Sequence, residues 1–380
     1  MQFGGYGFLG VGLQEPTPRT GGLAPGYRYV TWQVGPPIRR LFARGSIGFL
    51  PLRFRDVPRV FGPGGPLAAE VAILQCSPPV GGRVNLGISC SIFPSVVAAA
   101  RMVIAEIHPD MPRTHGATEL PVEEIDLAID AAGPLGTLAR AEPDPVDDAI
   151  VENVLALVPE ASWVQLGVGA VPDAILARLA GIRGVNLHSG MLTEPLVGFL
   201  DAAGPEARVV TGEVEGSPEL YRRVAADARA SFQPTAIVHD VPYLARLPRF
   251  VSINSALEID LHGQVNGETV DGAQVSGVGG SLDFAEGARY SEGGVSIVAL
   301  RSTARGRSRI VPRLGEGTAV TLPRFAVDTV VTEHGVARLA GRDLEQRAEA
   351  LVAIAAPEAR AALDAEIGRL RDGRNRSGRG

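Results

Sequence analysis

The stretch SWVQLGVGAVPDAILARLAGI at residues 162–182 limits most strongly how this chain can fold. WVQL predicts a strand, GVGA a glycine turn, and the remainder a helix whose first turn accepts Pro172 because proline has no N–H to lose there. A strand, a glycine turn and a helix in this order form the α/β ligand-binding unit, in which backbone N–H groups face an anion or a developing oxyanion. The turn lacks the third glycine of a dinucleotide fingerprint. The stretch therefore predicts an α/β fold with a small-molecule site, unless the glycines serve packing alone.

Stretches on either side extend the α/β pattern. SVVAAARMVIAEI at 95–107 predicts a helix that leads into a strand. A proline-rich acidic linker at 140–148 is followed by a helix with acidic residues at its positive end. Because 380 residues exceed one ordinary core, we expect two domains, residues 1–147 and residues 148–380. We expect the second to end in a polar tail from about residue 373.

The second half carries further signals in close succession. VSINSALEIDLHGQV alternates between apolar and polar residues and predicts one strand, with Glu258 on its polar face. VSGVGGSLDFAEGA contains a second glycine turn, with Ser281 placed to cap a helix. VSIVALRSTARGRSRIVP predicts a hairpin with three arginines on one face. These arginines either bind phosphate groups or form a solvated edge of the hairpin. These arginines are Arg305, Arg307 and Arg309. Asp343 and Gln346 form a capping box for the last predicted helix.

Composition excludes several classes of function. The net charge of −6 argues against a nucleic-acid partner, because phosphate binding needs a cationic face. All 36 basic residues are arginines, which excludes a Schiff-base lysine and the lysine of a P-loop. With only Cys76 and Cys90 available, neither a disulfide scaffold nor a cysteine-rich metal site is expected. An apolar run of about 18 residues and a leader pattern are both lacking, so we expect a soluble cytoplasmic protein without a membrane partner.

Eight stretches, taken in order, indicate a family. Two lie upstream, VNLGISCSIFPSVVAAARMVIAEI and MPRTHG, and six follow: QLGVGAVPDA, LHSGM, SINSALEIDLHGQVNGE, SGVGGSLDFAEGA, SIVALRSTA and VVTEHGVARLAGRDLEQRAEALVAIA. They closely resemble the acetyl-CoA hydrolase/transferase family, a group of family I CoA-transferases. The resemblance covers about residues 68–372, whereas residues 1–67 match poorly. It therefore implies that the domain at residues 1–147 is shortened at its start.

The resemblance implies two similar open α/β domains with acyl-CoA bound in the cleft between them. It implies an acyl-CoA and a small carboxylic acid as substrates, no metal, no nucleotide redox cofactor and a homodimer. Backbone N–H groups of the two glycine turns are expected to stabilise the negative tetrahedral intermediates. The residues expected to bind CoA are Gln165, Gly167, Val168, Gly169, Ala170 and Val171 from the first turn and Gly277, Gly279 and Gly280 from the second.

The family resemblance also implies a nucleophile that this chain lacks. In such enzymes a glutamate attacks the thioester, giving an acyl-glutamyl anhydride and then a glutamyl-CoA thioester. The glutamate lies in a stretch resembling His-Ser-Glu-Met, which in this chain reads His188, Ser189, Gly190 and Met191. The position of the nucleophile is therefore expected to be Gly190.

Three alternatives remain for the chemistry. Water or an acceptor carboxylate attacks directly and needs a base within hydrogen-bond reach, for which the candidates are Glu194, Glu258 and Glu333. Alternatively Glu194 replaces the nucleophile after a backbone rearrangement, or the protein is a non-catalytic acyl-CoA binder or regulatory subunit. A serine hydrolase is excluded, since the adjacent His188 and Ser189 point to opposite sides of an extended segment. We favour an enzyme, because both glycine turns are retained.

Overall fold

The computed structural model describes residues 29–35, 38–45, 47–138 and 144–377. The strands are β1 Tyr29–Thr31, β2 Ile47–Phe49, β3 Val71–Cys76, β4 Arg83–Asn85, β5 Met102–Ile107, β6 His115–Gly116, β7 Glu119–Pro121, β8 Leu127–Asp130, β9 Trp163–Leu166, β10 Asn186–Thr193, β11 Val209–Glu215, β12 Ala230–Phe232, β13 Phe250–Ser255, β14 Glu258–Asp260, β15 Val265–Asn266, β16 Thr269–Val270, β17 Ala273–Gln274, β18 Val295–Ala299, β19 Thr303–Ala304, β20 Arg307–Ser308, β21 Ile310–Val311, β22 Thr329–Thr332 and β23 Gly335–Arg338.

The helices lie between these strands and after the last one. They are α1 Arg39–Ala43, α2 Val57–Phe61, α3 Phe93–Ala99, α4 Pro145–Leu155, α5 Ala170–Leu179, α6 Leu196–Ala202, α7 Pro218–Ala226, α8 Thr235–Val238, α9 Val241–Leu244, α10 Ser281–Tyr290, α11 Leu344–Ala353 and α12 Pro357–Ser377. Within the described residues, no helix combines the length and the apolar character needed to cross a membrane.

A nine-stranded sheet organises the second half of the chain. Its strand order is β23-β22-β18-β13-β9-β10-β11-β12-β6, and its pairs are parallel except for β22 with β23. The chain runs outward from β9 through β10, β11 and β12, and then returns to the other side of β9 with β13. Ligands of open α/β sheets bind at such a reversal, beyond the carboxyl ends of the strands. The topology therefore places a ligand site beyond β9 and β13.

The first half is smaller and joins the same structure. Its parallel sheet has the order β3-β5-β8, and β6 pairs with β12 at the edge of the large sheet. One apolar core cluster includes residues from both halves, from Ala72 to Val331. The architecture confirms the α/β class with parallel sheets.

Local predictions were confirmed where a helix or strand has its own signal. α3 leads into β5, the glycine turn separates β9 from α5, and Asp343 with Gln346 forms the capping box of α11. The boundary between residues 147 and 148 lies within α4 and stays a prediction. The linker predicted at 140–148 falls partly on residues 139–143, which lie outside the described residues.

The prediction of one long alternating strand at VSINSALEIDLHGQV was wrong. The segment divides into β13 in the large sheet and β14 in a separate sheet with β15 and β21. Along β13 the residues from Phe250 to Asn254 are all buried, because a central strand of a parallel sheet is covered on both faces. The polar residues there, such as Ser252, are buried with their partners and do not face water.

Two further local predictions need correction. Ser281 does not cap α10; Gly280 occupies that position, and no side chain caps the helix. The predicted hairpin is a parallel strand of the large sheet, β18, followed by a short antiparallel pair, β19 with β20. Tertiary pairing decides the second outcome, because the same local pattern suits either strand arrangement.

Candidate active site

A cavity of about 680 Å³ lies where the topology predicts a ligand site. Its walls include the carboxyl ends of β9 and β13, together with Gly190 and Met191 from β10. All nine residues that the sequence analysis assigned to CoA binding line this cavity. They are Gln165, Gly167, Val168, Gly169, Ala170, Val171, Gly277, Gly279 and Gly280. Segments more than 100 residues apart in the sequence thus meet at one site, whose volume suits a small-molecule ligand.

Both glycine turns lead into a helix that begins at the cavity. Gly169 precedes α5 with a φ of 124°, a conformation that residues with a Cβ rarely adopt. Gly280 precedes α10. Neither position has a side chain that caps the helix, so the backbone N–H groups of both first turns remain available to a ligand.

Four other helices, α4, α7, α9 and α11, are capped at the N-terminus by a side chain, whereas α1, α2, α3, α6 and α8 have no side-chain cap. Asp144 accepts a hydrogen bond from an N–H of α4, Ser217 from α7 and Asp343 from α11. The two helices that begin at the cavity lack this feature. Because a helix N-terminus carries partial positive charge, the cavity favours an anionic ligand or a developing negative charge.

Arginine side chains add positive charge to the cavity. Arg301, Arg305 and Arg309 line it, whereas Arg307 pairs with Asp271 at the surface. Arg301 binds Asp147 and Asp144. Within the described part of the chain, no carboxylate lies at salt-bridge distance from Arg309. Burial, together with the nearby charge of Arg301, lowers the pKa of Arg309. Its guanidinium group is half-buried, and the charges of Glu258 and Glu333 act on it without a salt bridge, so it is a cationic group with which an anionic ligand can pair.

A buried polar network fixes Gln165 at the end of β9. Its Oε1 accepts hydrogen bonds from Ser252 Oγ at 2.9 Å and from Asn254 Nδ2 at 3.1 Å, and its Nε2 donates to Asn254 Oδ1 at 3.2 Å. Gln165 and Asn254 both line the cavity. Since every group in this network has a partner, the network holds the first glycine turn in one position.

The three candidate glutamates lie elsewhere. Glu194 accepts hydrogen bonds from the backbone N–H and the hydroxyl of Ser217, both at 2.8 Å. Glu333 accepts the corresponding pair from Ser302, at 2.8 and 2.6 Å. Glu258 is half-buried on β14. Among the described residues, the cavity lining includes none of these three carboxylates.

Gly190 and the two residues before it differ in their contacts. Gly190 lines the cavity. His188 and Ser189 are fully buried, and their side chains are bound to backbone: His188 Nε2 donates to the carbonyl of Val238 and Ser189 Oγ to that of Leu166. Burial lowers the pKa of His188 to about 4. These contacts give His188 and Ser189 a structural role.

Three ionisable residues at the cavity, Arg301, Glu213 and His239, were not predicted from the sequence. Glu213 on β11 is only 4% exposed, and Ser89 Oγ donates to its Oε2 at 3.1 Å. Burial, aided by the charge of Glu215, raises the pKa of Glu213 well above its ordinary value. His239 follows α8 and is also 4% exposed. The two glutamates in the strand sequence VVTGEVE were an available signal for Glu213; a single histidine before α9 gave none for His239.

A parallel sheet with a cavity between two glycine turns at its reversal point defines an α/β protein with a cavity suited to an anionic ligand. The N-terminal domain model of the acetyl-CoA hydrolase/transferase family matches residues 24–155, and the C-terminal domain model matches residues 216–367. The 4-hydroxybutyrate coenzyme A transferase of Clostridium kluyveri is 35% identical over 353 residues, covering 90% of this chain and 82% of that protein.

Solved structures agree with these matches. RipA from Yersinia pestis superposes with a TM-score of 0.85 at 27% identity, covering 91% of this chain and 87% of RipA. The 4-hydroxybutyrate CoA-transferase from Porphyromonas gingivalis gives a TM-score of 0.77 at 32% identity, covering 90% of this chain and 86% of that one. The chain belongs to the acetyl-CoA hydrolase/transferase family.

Proposed function

We propose that this protein cleaves acyl-CoA thioesters in the 680 Å³ cavity, passing CoA to a small carboxylic acid or releasing it by hydrolysis. The observation that carries the proposal is the convergence of two uncapped helix N-termini and Arg309 on this cavity. Coenzyme A brings phosphate groups, and attack on its thioester places negative charge on the carbonyl oxygen. N–H donors and a cation stabilise both.

Each set of residues receives a proposed role. The nine residues of the two glycine turns contact CoA, and their helices supply N–H donors to the oxyanion. Gly190 occupies the position where the family resemblance expects a nucleophilic glutamate, which favours direct attack over a covalent glutamyl-CoA route. Binding without catalysis is the alternative function, favoured by the absence of Glu194, Glu258 and Glu333 from the described cavity lining.

The test measures thiol release from a panel of acyl-CoAs, with and without acetate or succinate. We expect thioester cleavage with at least one acyl-CoA. Arg309→Gln should weaken CoA affinity by about 10-fold or more, because a charge-assisted contact is lost. The matched control Arg307→Gln, which removes a surface arginine paired with Asp271, should bind CoA as the wild type does.

The outcomes separate the two functions. CoA binding without turnover of any thioester would replace the enzyme by a CoA-binding protein. Lack of CoA binding by the folded wild-type protein would contradict both functions.

A further inference from the structure

His239 is held rigidly in the wall of the cavity. Its ring lies against Phe54 and Phe284, with centroid distances of 4.8 and 4.6 Å. Its Nδ1 lies 3.2 Å from Oδ2 of Asp283. Since a carboxylate only accepts hydrogen bonds, Nδ1 carries the ring proton and donates a hydrogen bond to Asp283. In the neutral ring, Nε2 is then an acceptor with a free lone pair.

Asp283 is itself fixed from the other side. It is fully buried in the first turn of α10. Its Oδ1 accepts from Arg53 Nε at 2.8 Å, and its Oδ2 accepts from the backbone N–H of Arg55 at 3.2 Å. Arg53 also binds Glu286 at 2.6 Å. A carboxylate held in this way sets both the tautomer and the orientation of the imidazole that it binds.

The free nitrogen of His239 faces the open side of Gly190. Nε2 lies 3.0 Å from the position that a Cβ on Gly190 would take, and it is the nearest atom to that position. Both residues line the cavity. Among the described residues, Nε2 has no hydrogen-bond partner. Because Gly190 has no side chain, the space beside Nε2 is left to the cavity, where water and a substrate carbonyl can meet.

We propose that His239 is the general base of this site and activates a water molecule that attacks the acyl-CoA thioester directly. This inference rests on the proposed function and selects hydrolysis, and not CoA transfer, as the reaction. The water oxygen bonds to the carbonyl carbon while its proton moves to Nε2. N–H groups of the two uncapped helices receive the oxyanion. The carbon–sulfur bond then breaks, the CoA thiolate takes the proton from Nε2, and a carboxylic acid is released.

Other ionisable groups are placed less well for this role. Glu194 and Glu333 are each engaged by a backbone N–H and a hydroxyl. Glu213 lines the cavity, but on β11 it pairs with Met191, so the two side chains lie on the same face of the sheet. Gly190 precedes Met191 and therefore faces the opposite side. His239 alone in this group combines a free acceptor atom with a partner that fixes its tautomer.

The first test is the His239→Gln variant in steady-state thioester hydrolysis. We expect kcat to fall by at least about 100-fold with KM within about threefold of the wild type, since a general base acts in the chemical step. His262→Gln is the matched control, because His262 also lies near an aspartate, 3.9 Å from Asp260, but is absent from the described cavity lining. Unchanged kcat in a His239→Gln variant that still binds CoA would overturn the proposal.

The second test examines Asp283 as the positioning residue and does not depend on whether His239→Gln folds. Asp283→Asn should lower kcat by at least about 10-fold and leave KM unchanged, because the imidazole loses its preferred tautomer. Glu286→Gln removes the other acidic partner of Arg53 and should keep the wild-type kcat. Equal losses of kcat in both variants would show that only the Arg53 contacts matter, which contradicts the proposal.

A labelling experiment separates direct attack from a covalent route. In a single turnover in ¹⁸O-water, direct attack places the label in the released acid and none in protein carboxylates. Label in a peptide containing Glu213 or another glutamate would overturn the proposal. If the wild-type protein neither binds CoA nor cleaves any thioester, the proposed function fails. If it hydrolyses thioesters and His239→Gln does so equally well, only the present inference fails.

Discussion

At the scale of single residues, the most informative position is Gly190. The two preceding residues, His188 and Ser189, bind backbone carbonyl groups with their side chains and lie away from the cavity, whereas Gly190 lines it. The sequence singled out this glycine because the resemblance expects a glutamate there. It gave no reason to connect Gly190 with His239, which lies 49 positions further along the chain and reaches Gly190 through the packing of α8 against β10.

The buried carboxyl of Glu213 carries the first prediction. Its pKa is raised in the folded protein, so the folded state binds more protons than the unfolded state once the pH exceeds the ordinary value of about 4.3. The contribution of the Glu213 carboxyl to the free energy of unfolding is therefore fully present below the pKa of the unfolded state. It is lost as the pH rises through the pKa of the folded state, by up to about 1.4 kcal/mol per pH unit. The free energy of unfolding of Glu213→Gln should rise relative to the wild type over this range.

Urea unfolding at a series of pH values between about 4 and 9 measures this difference. Glu206→Gln, which removes an exposed carboxylate, controls for the loss of one charge. A difference between Glu213→Gln and the wild type that does not change with pH would contradict the raised pKa.

At the scale of helices, strands and loops, the two glycine turns are the parts that the sequence described best. A glycine turn between a strand and a helix is a local pattern, and both turns lie where that pattern predicts them. Their helices lack capping side chains, and for α10 this contradicts the prediction from the sequence that Ser281 is the cap. That both helix ends open into one cavity follows only from the position of β13 beside β9.

The second glycine turn also closes against the N-terminal segment, and this contact carries the second prediction. A Cβ on Gly277 would overlap the carbonyl oxygen of Trp32 and lie 2.8 Å from Gln33 Oε1. Trp32 is buried against Phe61, so its backbone has little room to move. We expect Gly277→Ala to lower the free energy of unfolding by about 1–3 kcal/mol through this overlap.

Gly167→Ala is the control for this change, because a Cβ there would meet Asn254 Oδ1 at an ordinary distance of 3.5 Å. Both glycines line the cavity. Urea unfolding of the two variants compares them directly. A stability of Gly277→Ala equal to that of Gly167→Ala would show that the N-terminal segment moves aside freely.

At the scale of the whole molecule, the two halves share one core and are further joined by polar contacts. Asp147 in α4 is buried and receives two hydrogen bonds from Arg301, at 2.7 and 2.8 Å. Arg301 follows β18 and lines the cavity. This contact connects the predicted domain boundary, at Asp147, with the cavity, which Arg301 lines. The stability of the cavity therefore depends on how the two halves are joined.

This ion pair carries the third prediction. Asp147→Asn should lower the free energy of unfolding by about 1–3 kcal/mol, less than for a fully buried pair, because Arg301 is 35% exposed. Glu160→Gln, which breaks the exposed pair with Arg183, should change stability by less than about 0.5 kcal/mol. Thermal and urea unfolding both measure the difference, and equal effects of the two variants would contradict a structural role for Asp147.

The nine residues expected to bind CoA were implied by the family resemblance. The sequence by itself determined the α/β class, the two glycine turns and several helix boundaries. These depend on backbone conformation and local periodicity, which short stretches encode. Tertiary structure decided the division of VSINSALEIDLHGQV between two sheets, the positions of Glu194, Glu258 and Glu333 away from the cavity, and the meeting of Arg53, His239 and Asp283. Such a cluster draws on three separate segments, which only long-range contacts bring together, among them the bridge between Arg53 and Gly279.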